Sequence, residues 1–294
     1  MQTFSFNTNP NKDLPFPLFP DFHPQSELSQ KLIKAKQVNG PDFWPVTREV
    51  LAHDLKTLPL NRFKVWASVL NVPLVSMNKY SDYILLALTA AKNPVYRQAL
   101  VDKGVGFSNQ DVKAFYIFDD FPTTMNRAQI MSHYIINGWT PEKLSGISRI
   151  VELGGGIGDM CDIAYRLGFD GEYLIYDLPE VSELQKYYMR ELGNTKAKFT
   201  SSLDDLGPAD LVIATWSFTE MDLELRKEIM DKISESKNWL IAYSNKIFGI
   251  DNNDYIKNTF VPLVEENKDV KYTDIPFMPW DGGAHYLSVT EKVT

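Results

Sequence analysis

Arg149-Ile-Val-Glu-Leu-Gly-Gly-Gly-Ile-Gly-Asp159 is the stretch on which the reading of this chain turns. A β-branched run leads into glycines at 154, 155, 156 and 158, and an amphipathic pattern over 159–167 follows. Glycine allows positive φ and lets a ligand approach the backbone without meeting a Cβ. The helix start beyond it presents free amide donors, against which a carboxylate or a ribose can sit. The next apolar run ends at Asp177, 23 residues after Gly154. In α/β folds that bind nucleosides, an acid at this point accepts hydrogen bonds from ribose hydroxyls.

Outward from this turn, short apolar runs alternate with amphipathic segments. Strands are expected over 149–153, 173–176, 197–200, 211–215 and 240–244, and helices over 159–167, 181–192, 223–234 and 254–265. That alternation predicts a parallel sheet with helices on both faces. Two further strands, 270–275 and 285–289, have only a loop between them, so they should be antiparallel. Ahead of residue 147 the pattern is helical, over 26–37, 79–91, 108–118 and 123–136. Residues 10–24 hold five prolines, which predicts an extended arm over 1–25. The expected division is a mainly helical region, 1–147, that roofs the site and selects the acceptor, and an α/β domain, 148–294.

The formal net charge is −8 and no basic run is present, which argues against a nucleic-acid substrate. A single cysteine, Cys161, excludes an intrachain disulfide and a thiolate zinc site. The first 24 residues lack the basic start and apolar run of a signal peptide, and the longest apolar stretch, 83–91, is too short to span a bilayer. The expectation is a cytoplasmic protein without a membrane partner, with a homodimer left open.

Two nucleoside cofactors compete for the glycine turn. The dinucleotide pattern G-x-G-x-x-G fails, because its third glycine position is Asp159. The spacing present is Glu-x-Gly-x-Gly-x-Gly over Glu152, Gly154, Gly156 and Gly158. This resembles the first motif of the class I S-adenosylmethionine-dependent methyltransferases. The resemblance implies a Rossmann-like, mostly parallel seven-stranded sheet with an antiparallel last strand. It implies that Glu152 lies near the methionine amino group, that the glycines contact methionine and ribose, and that Asp177 holds the ribose diol. Tyr176-Asp-Leu-Pro-Glu180 is similar to the acid loop of O-methyltransferases, which adds Leu178 to the cofactor set. Together with residues 210–222, Asp251-Asn252 and Ala284-His-Tyr-Leu287, the C-terminal half resembles the sugar O-methyltransferase family. Within that reading Ser201 and Ser202 meet the adenine, and Trp216 packs on the cofactor or fills the core.

The activity so implied is transfer of a methyl group from S-adenosylmethionine to a sugar hydroxyl, leaving S-adenosylhomocysteine. The alternatives are a phenolic or other small-molecule hydroxyl, or a cofactor-binding protein without catalysis. Alignment of the reacting atoms should supply most of the acceleration, with a positioned base adding to it. Candidate bases are His285, Glu220 and Asp222, of which the latter two could instead cap the helix that follows. Candidate acceptor ligands are Arg127, His133, Asp251 and Asn252; Arg127 or His133 could also reach the methionine carboxylate. Asp222, Asp251, Asn252 and Asp254 supply hard oxygen ligands, but their spacing specifies no metal site, so no metal is expected.

Overall fold

The computed structural model describes residues 30–32, 34–35, 43–70, 81–107, 116, 121–275 and 283–292. The proline-rich arm, much of the helix expected over 26–37 and nearly all of that expected over 108–118 lie outside the described residues.

The N-terminal region is helical. It contains α1 (Phe43–Thr57), a 3₁₀ turn (Leu60–Val65), α2 (Ala67–Leu70), α3 (Ser81–Ala90), α4 (Pro94–Leu100) and α5 (Met125–Ile136). α4 shows why such segments start where they do. Asn93 caps it by accepting from the Val95 amide at 2.9 Å, and Pro94 fills the first position, where no amide is needed. The short α6 (Pro141–Ser145) repeats the device, with Thr140 as cap.

The later part alternates as the sequence implies: β1 (Arg149–Leu153), α7 (Asp159–Arg166), β2 (Glu172–Tyr176), α8 (Pro179–Glu191), β3 (Lys198–Thr200), β4 (Leu211–Thr215), α9 (Ser217–Glu220), α10 (Leu223–Ile233) and β5 (Asn238–Ser244). A hairpin of β6 (Lys246–Ile247) and β7 (Ile250–Asp251) comes next. Its two-residue turn holds Phe248 and Gly249 at φ +49° and +85°, the left-handed pair such hairpins require. Phenylalanine is a rare occupant of that region, so the segment reads as an open loop in sequence. The helix expected over 254–265 is a run of three pieces: α11 (Asn252–Tyr255), a π turn (Ile256–Phe260) and α12 (Val261–Val264). Pro262 has no amide to continue the α ladder, and the widened turn lies just before it. β8 (Lys268–Asp274) and β9 (Ala284–Glu291) close the chain.

The seven-stranded sheet has the order β3-β2-β1-β4-β5-β9-β8. β9 is antiparallel to both neighbours, and β1 to β5 pair in parallel. Register at the amino ends of β1 and β4 is fixed by Asp210, which accepts from the amides of Ser148 (2.8 Å) and Arg149 (3.0 Å). One face of the sheet buries Val151, Leu153, Val212, Ala214, Trp239, Ile241, Leu287 and Val289. Ile229 and Ile233 of α10 and Ile256, Phe260 and Val264 beyond β7 pack on it. Within each strand these residues stand two apart, as the period of two demands.

By packing, the described residues form two compact units. One comprises the described residues as far as His133 together with Gly156–Arg166 and Glu183–Thr195. The other comprises Tyr134–Gly155, Leu167–Ser182 and the described residues from Lys196 onward, and it holds the entire sheet.

Candidate active site at the carboxyl ends of the strands

The chain leaves β1 through three glycines in the left-handed region, at φ +68° (Gly154), +54° (Gly156) and +98° (Gly158). The Gly154 amide donates to the carbonyl of Tyr176 at 2.8 Å, which locks the end of β1 to the end of β2. A Cβ on Gly154 would overlap Ser217, whose hydroxyl donates to the Leu153 carbonyl. A Cβ on Gly155 would lie 2.7 Å from the Ile175 methyl and 3.1 Å from Glu152 Oε2. Glycine is thus demanded twice over, by dihedral angle and by close approach. Glu152 is buried, and the Tyr173 hydroxyl donates to its Oε2 at 2.9 Å.

Asp177 follows directly on β2. Its amide donates to the Thr200 carbonyl at 3.0 Å, and its Oδ1 accepts from the Leu178 amide at 2.8 Å. These bonds fix the carboxylate, part-buried, one strand away from Glu152. Ser201 and Ser202 are exposed after β3, where the Ser202 hydroxyl accepts from the Asp204 amide and caps a 3₁₀ turn. Trp216 follows β4 with φ +76° and ψ −43°, a region costing a non-glycine residue about 1–3 kcal/mol. Its amide donates to Ala242 of β5 at 2.7 Å, and its carbonyl accepts from the Thr219 amide and hydroxyl. This strained junction places Ser217 against the glycine turn.

The strand order, the antiparallel strand inserted next to β5, and a glycine turn after β1 with an acid after β2 are now all in place. The fold is that of the class I methyltransferases. No protein-family model matches the chain, and no curated protein matches it. Among solved structures it is similar to a magnesium protoporphyrin IX methyltransferase from Synechocystis PCC 6803 with bound S-adenosylmethionine. That likeness has 12% identity over 73% of this chain and 100% of the other, with a TM-score of 0.44. It is similar also to the mitomycin 7-O-methyltransferase MmcR (11% identity, 92% of this chain and 74% of that one, TM-score 0.43). An rRNA methylase from Streptococcus thermophilus is a third (13% identity, 55% and 95%, TM-score 0.41). The strand order and the loop, not these scores, carry the assignment of the fold.

In the methyltransferase fold the remaining candidates fall into place unevenly. His285, second residue of β9, pairs with Tyr243 near the end of β5, so it stands at the same end of the sheet as the glycine turn. Its Nδ1 lies 2.8 Å from Asp274 Oδ1, and its ring centre is 5.4 Å from that of Tyr243. Because a carboxylate only accepts, a neutral ring in this contact has its proton on Nδ1 and its lone pair on Nε2. Asp222 is exposed, and its Oδ1 accepts from the Leu225 amide at 2.8 Å, capping α10. Glu220 ends α9, part-buried. Asp251 is exposed and caps α11 through the Asp254 amide. Asn252 is fully buried, accepting from Arg226 Nη1 at 3.0 Å and donating to the Ser244 carbonyl at 3.0 Å. Arg226 also donates to the carbonyls of Thr219 and Met221, so one buried cation ties the segment after β4 to the segment after β5.

Arg127 and His133 lie on α5, and both are buried. Arg127 donates to Asp159 Oδ1 at 2.9 Å and to the Ala99 carbonyl, and its Nη2 is 2.9 Å from Asp162. Burial pushes the His133 imidazole down to about 3, so at neutral pH it is an uncharged ring. Three side chains at these positions were not singled out in the sequence: Tyr173, Ser217 and Asp274. Only Ser217, two residues past a predicted strand end, sat where a local signal could have pointed. Among the described residues no group of three or more His, Cys, Asp or Glu side chains is placed to hold a metal ion, and no helix is long and apolar enough to cross a membrane.

Proposed function

We propose that the protein is an S-adenosylmethionine-dependent O-methyltransferase acting on a sugar hydroxyl. The observation that carries this reading is the pair of acids, Glu152 and Asp177, held at the ends of adjacent strands around a turn in which a Cβ on Gly154 or Gly155 would collide with its neighbours. Such a turn fits an adenosyl group and an amino acid. The dinucleotide pattern is broken where its third glycine would stand, because that position is Asp159, buried against Arg127. Glu152 would bind the methionine amino group, Asp177 the ribose hydroxyls, and Trp216 the flat face of the cofactor.

Bound there, S-adenosylmethionine supplies a methyl group on a positively charged sulfur, which leaves as a neutral thioether. The chain's own work is to align the acceptor and to remove its proton. A sugar hydroxyl is a poor nucleophile until deprotonated, and His285, whose Nδ1 lies 2.8 Å from Asp274, would act as its base. β9 is three strands along the sheet from β1, roughly 14 Å at ~4.8 Å per strand, a span that donor and acceptor together must bridge.

Calorimetry with S-adenosylmethionine, S-adenosylhomocysteine and NAD tests the cofactor. We expect binding of the first two and none of the third. Asp177→Ala should weaken binding by about 1–3 kcal/mol through loss of charge-assisted hydrogen bonds. Unchanged affinity in that variant, or tight binding of NAD, would overturn the assignment. Screening nucleotide sugars and glycans against phenols then tests the acceptor.

A further inference from the structure

Arg226, on α10, is fully buried, and each of its three side-chain nitrogens donates a hydrogen bond. Nε donates to the Met221 carbonyl at 2.9 Å and Nη2 to the Thr219 carbonyl at 2.6 Å, both in the segment after β4. Nη1 donates to Asn252 Oδ1 at 3.0 Å, in the segment after β5. Two rings follow the same division. The guanidinium carbon lies 5.9 Å from the centre of the Phe218 ring, after β4, and 4.7 Å from that of Tyr255, after β5. Asn252 carries the linkage on, donating from Nδ2 to the Ser244 carbonyl at 3.0 Å and from its amide to the Asn245 carbonyl at 2.8 Å. All of these residues belong to the unit that holds the sheet.

A cation is a costly group to bury here. Among the described residues no carboxylate lies within 4.0 Å of it, and burial pushes the guanidinium down to about 10. Carbonyl dipoles and ring faces alone offset its lost hydration. An apolar side chain would fill the space without that cost, but it could not hold three acceptors in fixed directions. What the arrangement holds is visible at Trp216. Its φ of +76° and ψ of −43° persist only where the surroundings over-determine them. On the sheet side its amide donates to the Ala242 carbonyl. On the other side its carbonyl accepts from the Thr219 amide at 3.1 Å and hydroxyl at 2.9 Å. The Thr219 carbonyl in turn accepts the shortest of the Arg226 bonds. A continuous line of bonds therefore runs from Trp216 through Thr219, Arg226 and Asn252 to the end of β5.

We infer that Arg226 is a positioning residue for the cofactor: it keeps the turn at Trp216 in its strained form by clasping the segment after β4 to the segment after β5. This rests on the reading of Trp216 as a contact of S-adenosylmethionine. The three nitrogens of Arg226 are engaged within the protein, so it acts through Trp216 and not on the ligand. Without the clasp the turn relaxes, and the share of molecules with Trp216 correctly placed falls. Apparent affinity falls by the same factor.

The test uses the full chain and S-adenosylhomocysteine. Arg226→Met keeps the bulk without charge or donors, and Arg226→Lys keeps the charge without the planar fork. Affinity is read by calorimetry, stability by urea unfolding, and the turn itself by the indole N–H resonance of Trp216, assigned with Trp216→Phe. Both variants should bind about tenfold or more weakly than the wild-type chain. Both should also show that resonance shifted or split before any ligand is added. An unmoved resonance or an unchanged affinity in either variant overturns the proposal, whatever happens to stability, because a merely structural cation would lower stability alone. Wild-type affinity in Arg226→Lys would mean that charge, not geometry, is what Arg226 supplies. Should neither variant fold, Asn252→Ala decides. It opens only the arm toward β5 and should weaken binding about threefold or more, with the same change of resonance; unchanged values overturn the clasp. A wild-type chain that does not bind S-adenosylhomocysteine would sink the methyltransferase reading, while the indole resonance of the variants still decides whether Arg226 holds the turn.

Discussion

Gly154 shows how much a single missing methyl decides. Its φ of +68° and the overlap of a built Cβ with Ser217 are separate penalties. Gly154→Ala should therefore lower stability by about 1–3 kcal/mol, read by urea unfolding, and weaken S-adenosylmethionine binding at least tenfold. Adding Ser217→Gly removes the overlap but not the strained dihedral, so the double variant should recover part of the loss. If single and double variants are equally unstable, Ser217 is not what excludes the methyl. The strand, the glycines and the following helix were visible in sequence because each is a local pattern. The role of Ser217 was not, because it depends on β4 lying beside β1, with Val212 opposite Val151. The same holds for Asp274, which reaches His285 only because β8 and β9 pair in that register.

At the scale of elements, α5 and α7 are joined by charge. Lys64, Arg127 and Arg166 face Asp102, Asp159 and Asp162, three cations against three anions, with Lys64 3.2 Å from Asp102 and Arg166 2.9 Å from Asp162. The Tyr188 hydroxyl donates to Asp159 at 2.8 Å and accepts from Lys64 at 3.3 Å, and the Asn126 amide also donates to Asp159. Burial works to raise the Asp102 carboxyl, but Lys64 and Arg127 overcome it and hold it below the ordinary range. A buried balanced set is costly to break from one side. Arg127→Met should destabilise the protein by about 3–5 kcal/mol, since Asp159 and Asp162 stay buried without their partner. A cost under about 1 kcal/mol in urea unfolding would mean the network contributes little. The sequence showed the helices, whose apolar periodicity is local, but not this network, whose members are spread from residue 64 to residue 188. The hairpin over 246–251 and the π turn before Pro262 escaped for another reason: the backbone there overrides what its residue types prefer.

For the whole molecule, the consequence of buried titratable groups is an acid limb of stability in two stages. His133 is fully buried and its imidazole is pushed down to about 3, whereas an unfolded chain titrates histidine near 6.5. The folded state thus favours the neutral ring. Its contribution is complete above pH ~6.5 and is lost as the pH falls from there toward the folded value, at up to roughly 1.4 kcal/mol per pH unit. Asp102 and Asp210 are also depressed, Asp210 because the bonds from Lys237, Ser148 and Arg149 outweigh its burial. Their contributions are present above the ordinary carboxylate value near 4 and decline only below it. Between pH ~6.5 and ~4.5 the decline should therefore belong chiefly to His133. Urea unfolding across that range should show falling stability in the wild-type chain and a nearly flat profile in His133→Gln. Below pH ~4 the two should run parallel, because the carboxylates are common to both. A wild-type profile that is already flat down to pH 4.5 would mean that the imidazole accepts its proton inside the fold.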